Sequence, residues 1–254
     1  MGTFALTGGA TGIGAALKEQ LVGAGHSVTV VDIKQADIVA DLSTQEGRRA
    51  AVEGLRARAP EGLDGFVPLA GIGAHVTPAS LITRVNYFGV IACVEGVRDL
   101  LERRQGSVVL ISSNSGPGLG RHSEYLELLL AGDESGACEL IDRVGSTVAY
   151  AGAKLGLARW MRRHAGEYVK AGVRMNAVAP GVTNTPMVEG AFEDPGTKEA
   201  MHAYVARMPM ARVADPTEVA NVIRFLLGPE ASFVCGSLLF VDGGQDASER
   251  PDEP

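Results

Sequence analysis

The chain has 254 residues, 46% hydrophobic and 21% charged, with 33 glycines and 12 prolines. That is enough apolar material for a sizeable core, and it excludes a disordered or low-complexity chain. The formal net charge of −7, without any long basic run, speaks against nucleic acid as a partner. The three scattered cysteines, Cys93, Cys138 and Cys235, form neither a disulfide framework nor a zinc signature, so no metal is expected. No N-terminal signal pattern and no apolar run of about 18 residues occurs. The reading is a cytoplasmic chain without a membrane span.

Short β-branched runs alternate with longer helical stretches. Strands are expected at Thr3–Thr7, Ser27–Ile33, Asp64–Leu69, Ser107–Ser112, Val173–Val178 and Leu238–Val241. Helices are expected at Gly12–Ala24, Glu46–Ala59, Ala79–Arg103, Val148–Ala171 and Pro216–Leu227. Runs such as Val28–Val31 and Val108–Ile111 are apolar throughout, as in strands covered on both faces. This alternation implies one α/β domain over residues 1–247, a Rossmann-type doubly wound parallel sheet. Two connections are too long for ordinary βα loops of about 2–6 residues. The first, 114–147, reads as a helical insertion with weak helices at His122–Ala131 and Glu134–Val144, and Ser123 as the N-cap of the first. The second, Thr185–Pro209, carries a helical stretch near Lys198–Arg207. The tail 248–254 is expected to be disordered.

The first strand runs into Thr7-Gly8-Gly9-Ala10-Thr11-Gly12-Ile13-Gly14 and then a helix. Glycines there allow a tight turn, and the helix N-terminus offers free N–H groups to a pyrophosphate. Ala15 stands where a nucleoside-triphosphate phosphate loop needs Lys, which excludes that motif. Asp32, at the end of the second strand, is placed to accept from both adenosine-ribose hydroxyls and would repel a 2′-phosphate. NAD is therefore expected over NADP, with Lys34 nearby as a mild counter-signal. Tyr150 and Lys154 are four apart on a helix, so their heads converge on one face. An ammonium beside the phenol is expected to lower its pKa and suit Tyr150 to proton exchange.

The spacing GxxxGxG with a downstream Tyr-x-x-x-Lys resembles the short-chain dehydrogenases/reductases, over essentially the whole chain. The resemblance implies catalytic roles for Asn86, Ser113, Tyr150 and Lys154. Asn86, in Asn86-Tyr87-Phe88-Gly89, would fix its helix and hold a water of a proton relay. It implies a cofactor site of Gly8, Thr11, Gly12, Ile13, Gly14, Asp32, Asp41, Leu42, Ala70, Gly71, Tyr150, Lys154, Val182 and Thr185. Thr183 is an alternative to Thr185, while Pro68-Leu69 replace the family's two asparagines. Val241-Asp242-Gly243-Gly244 matches the family's last strand end and reads as structural. The five histidines, 26, 75, 122, 164 and 202, form no ligand pair and read as surface or packing residues.

The implied function is NAD(H)-dependent interconversion of a secondary alcohol and a ketone. Ser113 and Tyr150 lie 37 positions apart; that insertion, with Asp32-Ile33, Asp41-Leu42-Ser43-Thr44 and Val85-Asn86-Tyr87-Phe88-Gly89, resembles a branch of the family, and the resemblance implies action on hydroxysteroids or other bulky carbonyls. Coniferyl- or aryl-alcohol oxidation in the same family is an alternative, as is a catalytically idle NAD(H)-binding sensor. The insertion carries Tyr125, Leu126, Leu128, Leu129, Leu130, Leu140 and Ile141, which must pack on the body, a substrate or a partner. A homo-oligomer, a dimer first, is expected, without the family's usual long-helix interface.

Overall fold

A computed structural model describes residues 1–119, 121–193 and 198–252. In chain order it contains β1 (Thr3–Thr7), α1 (Gly12–Gly23), β2 (Ser27–Asp32), β3 (Ile38–Val39), α2 (Gln45–Arg58) and β4 (Gly65–Pro68). Then come α3 (Ala79–Thr83), a π-helical turn (Arg84–Gly89), α4 (Val90–Gly96), α5 (Arg98–Arg104) and β5 (Ser107–Ile111). The insertion supplies α6 (Gly116–Leu119), α7 (Ser123–Ala131) and α8 (Glu134–Val144). The remainder is α9 (Ser146–Lys170), β6 (Arg174–Pro180), α10 (Pro186–Glu193), α11 (Lys198–Arg207), α12 (Pro216–Leu227), β7 (Leu238–Val241) and α13 (Gln245–Glu249).

All strand pairs are parallel, in the order β3-β2-β1-β4-β5-β6-β7. Alternate strand residues feed two cores. Ala5, Phe66, Val108, Leu110 and Ala177 face the layer of α2 to α5, α7, α8 and α9. Leu6, Val67, Val109, Ile111 and Val178 face α1 and α12. Both faces are dry, which explains strands that are apolar without alternation. Strand order reverses between β1 and β4, so a crevice opens at their carboxyl ends. The doubly wound fold expected from the sequence is the observed one.

Several local expectations change. β3, two residues long, is a seventh strand held by pairing to β2 rather than by its own pattern. The helix expected as one piece over Ala79–Arg103 is interrupted by the π-helical turn and again before Arg98. The N-cap of α7 is His122, whose Nδ1 accepts from Tyr125 N, and not Ser123. The tail is ordered further than expected: α13 runs to Glu249, and Arg250 forms a two-point pair with Asp246.

The apolar group of the insertion packs on the body. Tyr125, Leu126, Leu129, Leu140 and Ile141 are buried where α7 and α8 meet α3, the π-helical turn and α9. The Tyr125 hydroxyl shares a hydrogen bond of 2.6 Å with Thr83 Oγ1 in this dry contact. Tyr125→Phe leaves the Thr83 hydroxyl without that partner and is expected to lower the unfolding free energy by about 1–3 kcal/mol. Urea unfolding measures this, and an unchanged midpoint would place the anchor elsewhere.

Candidate active site

The crevice is a cleft of about 520 Å³ running from Asp32, Asp41 and Leu42 past the glycine-rich turn to Ser113, Tyr150 and Lys154. Gly8, Thr11, Gly12, Ile13, Gly14, Ala70, Gly71, Thr183 and Thr185 also line it. Two glycines of the turn have different tasks. Gly12 has φ +55°, and a Cβ there would come within 2.9 Å of Thr185 Cγ2, closing the cradle from inside. Gly14 is a packing glycine: a Cβ would lie 2.0 Å from Gly8 O, so only glycine lets α1 start this close to the turn. The Asp32 carboxylate accepts from Ala10 N at 3.1 Å and Ile33 N at 2.7 Å, tying β2 to the turn. Thr183 Oγ1 donates to Gly181 O at 3.0 Å within its own loop, whereas the Thr185 side chain lies against Gly12.

At the other end the two adjacent serines separate by role. Ser112 Oγ donates to Lys154 O at 2.9 Å and fastens β5 to α9. Ser113 Oγ shares a hydrogen bond of 2.9 Å with Ser115 Oγ, and its hydroxyl lies near enough to Tyr150 to bear on the phenol's pKa. Lys154 Nζ donates to Ile111 O at 2.9 Å and lies 5.8 Å from the centre of the Tyr150 ring. Burial raises the Tyr150 pKa above its ordinary value, with the Ser113 hydroxyl as a partial offset. The expected lowering by Lys154 is therefore not what governs the phenol in the protein alone. Desolvation wins, and Tyr150 stands as a neutral phenol, the form that can donate a proton.

Two expected site residues lie outside the cleft wall. Asn86 is fully buried in the π-helical turn, and its amide is spent on Ile72, accepting from Ile72 N at 2.8 Å and donating to Ile72 O at 2.9 Å. It holds the cleft-lining Ile72 rather than facing the cleft itself. Val182 lines a separate cavity with Met208 and Phe240, and its carbonyl accepts from Ala214 N at 2.9 Å. Conversely, His75 lines the cleft with Val76, Val85 and Met187, although the sequence marks it as an ordinary surface histidine. Its position just past the carboxyl end of β4 is the signal that could have found it.

Burial also lowers the Lys154 pKa to about 8 from 10.5. Between those pH values the folded protein binds fewer protons than the unfolded chain, so this group's contribution to stability rises with pH. Its charging penalty is in full force below pH 8. Lys154→Met is therefore expected to stabilise the cofactor-free protein at neutral pH by about 1–3 kcal/mol, less the lost bond to Ile111 O. The advantage should shrink as pH rises toward 10.5. Thermal unfolding at both ends of that range checks it, and a variant less stable at neutral pH contradicts it.

Comparison with known proteins fits this geometry. Residues 3–125 match the family model described as short chain dehydrogenase, and residues 139–246 the one described as Enoyl-(Acyl carrier protein) reductase. The chain is 39% identical over 256 residues to 3-alpha-hydroxysteroid dehydrogenase/carbonyl reductase of Comamonas testosteroni, covering 99% of each. It is 32% identical to cis-4-hydroxycyclohexanecarboxylate dehydrogenase of Sinomonas cyclohexanicum, covering 95% of each. The crystal structure of the 3-alpha-hydroxysteroid dehydrogenase from Pseudomonas sp. B-0831, complexed with NADH, superposes with a TM-score of 0.94 at 43% identity. That match covers 99% of this chain and 100% of the other. With such similarity along its whole length, the chain belongs to the short-chain dehydrogenase/reductase family.

Proposed function

We propose that this protein is an NAD(H)-dependent oxidoreductase that interconverts a secondary alcohol and a ketone on a bulky, ring-shaped apolar substrate, hydroxysteroids foremost. The observation that carries the reading is the meeting of Ser113, Tyr150 and Lys154 in one cleft continuous with the glycine cradle and Asp32. The names of the two relatives support a cyclic secondary alcohol or its ketone. So does the apolar wall of Ile72, Val76, Val85, Met187 and Val188.

The residues present fit a dinucleotide. The cradle that a Cβ at Gly12 would fill can receive a pyrophosphate, with Gly8, Thr11, Ile13 and Gly14 around it. Asp32, Asp41 and Leu42 would hold the adenosine, and Ala70, Gly71, Lys154 and Thr185 the nicotinamide half. The bound cofactor supplies or accepts the hydride. Ser113 holds the substrate oxygen by a hydrogen bond from Oγ. In the reductive direction the Tyr150 hydroxyl gives its proton to that oxygen, and in the oxidative direction the phenolate takes it back. Lys154 keeps positive charge near the phenolate. Asn86 acts by holding Ile72 in the cleft wall.

A panel tests the reading by NADH absorbance: ketosteroids, cyclic diketones and quinones with NADH, hydroxysteroids and aryl alcohols with NAD. Turnover of cyclic ketones and their alcohols is the expected result. Turnover of aryl alcohols alone would move the assignment to a coniferyl-type enzyme. Tight NADH binding without any turnover would leave a sensor.

The same reading includes a homodimer whose contact avoids α9, since α7 and α8 cover part of that helix's outer side. Phe233, fully exposed, and the half-exposed Phe225 offer apolar surface elsewhere. Sedimentation should give two subunits, and a monomer at micromolar concentration would refute this.

A further inference from the structure

The insertion reaches the Asp41-Leu42 end of the cleft through an ion pair whose arginine is buried. Arg48, in the first turns of α2, is only 7% exposed although charged. Its Nη1 and Nη2 donate to the two carboxylate oxygens of Glu134, the first residue of α8, at 2.7 and 2.8 Å. Nε donates to Leu42 O at 2.8 Å, and Nη2 also to Arg84 O at 3.0 Å. One guanidinium thus joins three segments: the Asp41-Leu42 wall of the cleft, the π-helical turn, and the insertion.

The chain around Leu42 is closely packed. A Cβ at Gly89 would come within 3.1 Å of both Leu42 O and Leu42 Cβ, so the π-helical turn abuts Leu42 directly. A buried guanidinium needs a carboxylate to offset its lost hydration, and Glu134 is the one it pairs with. A fork that is fixed on one side by two parallel bonds can aim its remaining N–H groups at fixed carbonyls. A further contact, Asp142 Oδ1 accepting from Ser80 N at 2.7 Å, keeps α8 seated on α3 and so keeps Glu134 in reach.

We infer that Arg48, held in place by Glu134 of the insertion, is a positioning residue for the adenosine end of the cofactor site. It fixes the Leu42 backbone against which the adenosine lies, so the insertion serves cofactor affinity. This rests on the reading of the cleft as an NAD(H) site. Glu134 touches neither cofactor nor substrate, so its removal acts through Arg48 and Leu42.

The test is binding of NADH and of AMP, followed by fluorescence and calorimetry, with steady-state kinetics alongside. Glu134→Ala is expected to weaken NADH and AMP by the same factor, roughly tenfold. KM for NADH should rise in parallel while kcat at saturating NADH stays within about twofold. Glu134→Gln, which keeps the shape but not the charge, should fall between wild type and Ala. Arg48→Met should weaken NADH, and adding Glu134→Ala to it should cost nothing further, because the two act as one unit. Unchanged NADH affinity in Glu134→Ala, a loss confined to kcat, or single effects that multiply would each overturn the inference. Wild-type protein that binds AMP and NADH not at all would overturn the NAD(H) reading itself, and the inference with it.

Discussion

Tyr150→Phe is expected to lower kcat by roughly 10³-fold while leaving the Kd for NADH within about twofold. The variant removes one oxygen, the hydroxyl that shares the cleft with Ser113, and keeps the ring that Lys154 Nζ approaches at 5.8 Å. Ser112 still fastens α9 to β5, so Lys154 keeps its place. What is lost is the proton at the substrate oxygen. Burial holds the phenol above its ordinary pKa, so in the reductive direction the group starts protonated. Rapid mixing with NADH separates binding from turnover. Near wild-type turnover in the variant would remove Tyr150 from the chemistry.

Preference for NADH over NADPH is the second large effect, expected at about 10²–10³-fold in kcat/KM. The carboxylate of Asp32 sits at the carboxyl end of β2, lining the cleft beside Ile33 and Ala40. A 2′-phosphate there would bring a dianion against a carboxylate already fixed by Ala10 N and Ile33 N, which cannot swing away without giving up both bonds. Asp32→Ser removes the repulsion and should lose most of the discrimination, chiefly through weaker use of NADH. If wild type uses NADPH as well as NADH, Asp32 does not read the ribose.

The residues that local pattern could reveal are those whose work is done within a few positions. The glycine turn between β1 and α1, Asp32 at a strand end, and Tyr150 with Lys154 four apart on a helix fall in this group. All of them line one cleft. The strand-helix alternation likewise sufficed for the doubly wound sheet, because strands buried on both faces are apolar throughout. What stayed hidden depends on partners that the local residue pattern does not mark. β3 exists because β2 offers it an edge. The role of Gly14 comes from Gly8 O, and that of Asn86 from Ile72, fourteen positions away. Val182 carries the motif's spacing, yet the turn after β6 sends it to a separate cavity. The Arg48–Glu134 pair spans 86 positions and joins an ordinary helix to an insertion, so neither residue stands out by its neighbours.

The central claim is that this cleft moves hydride between a nicotinamide and a ring carbonyl. Incubation with 4-deuterated NADH and a 3-ketosteroid, followed by mass spectrometry and proton NMR of the product, tests it most directly. The account predicts an alcohol carrying deuterium at the carbinol carbon, in one configuration, formed roughly 10³-fold more slowly by Tyr150→Phe. Protein that binds the labelled cofactor yet transfers no deuterium to any ketone of the panel would contradict it.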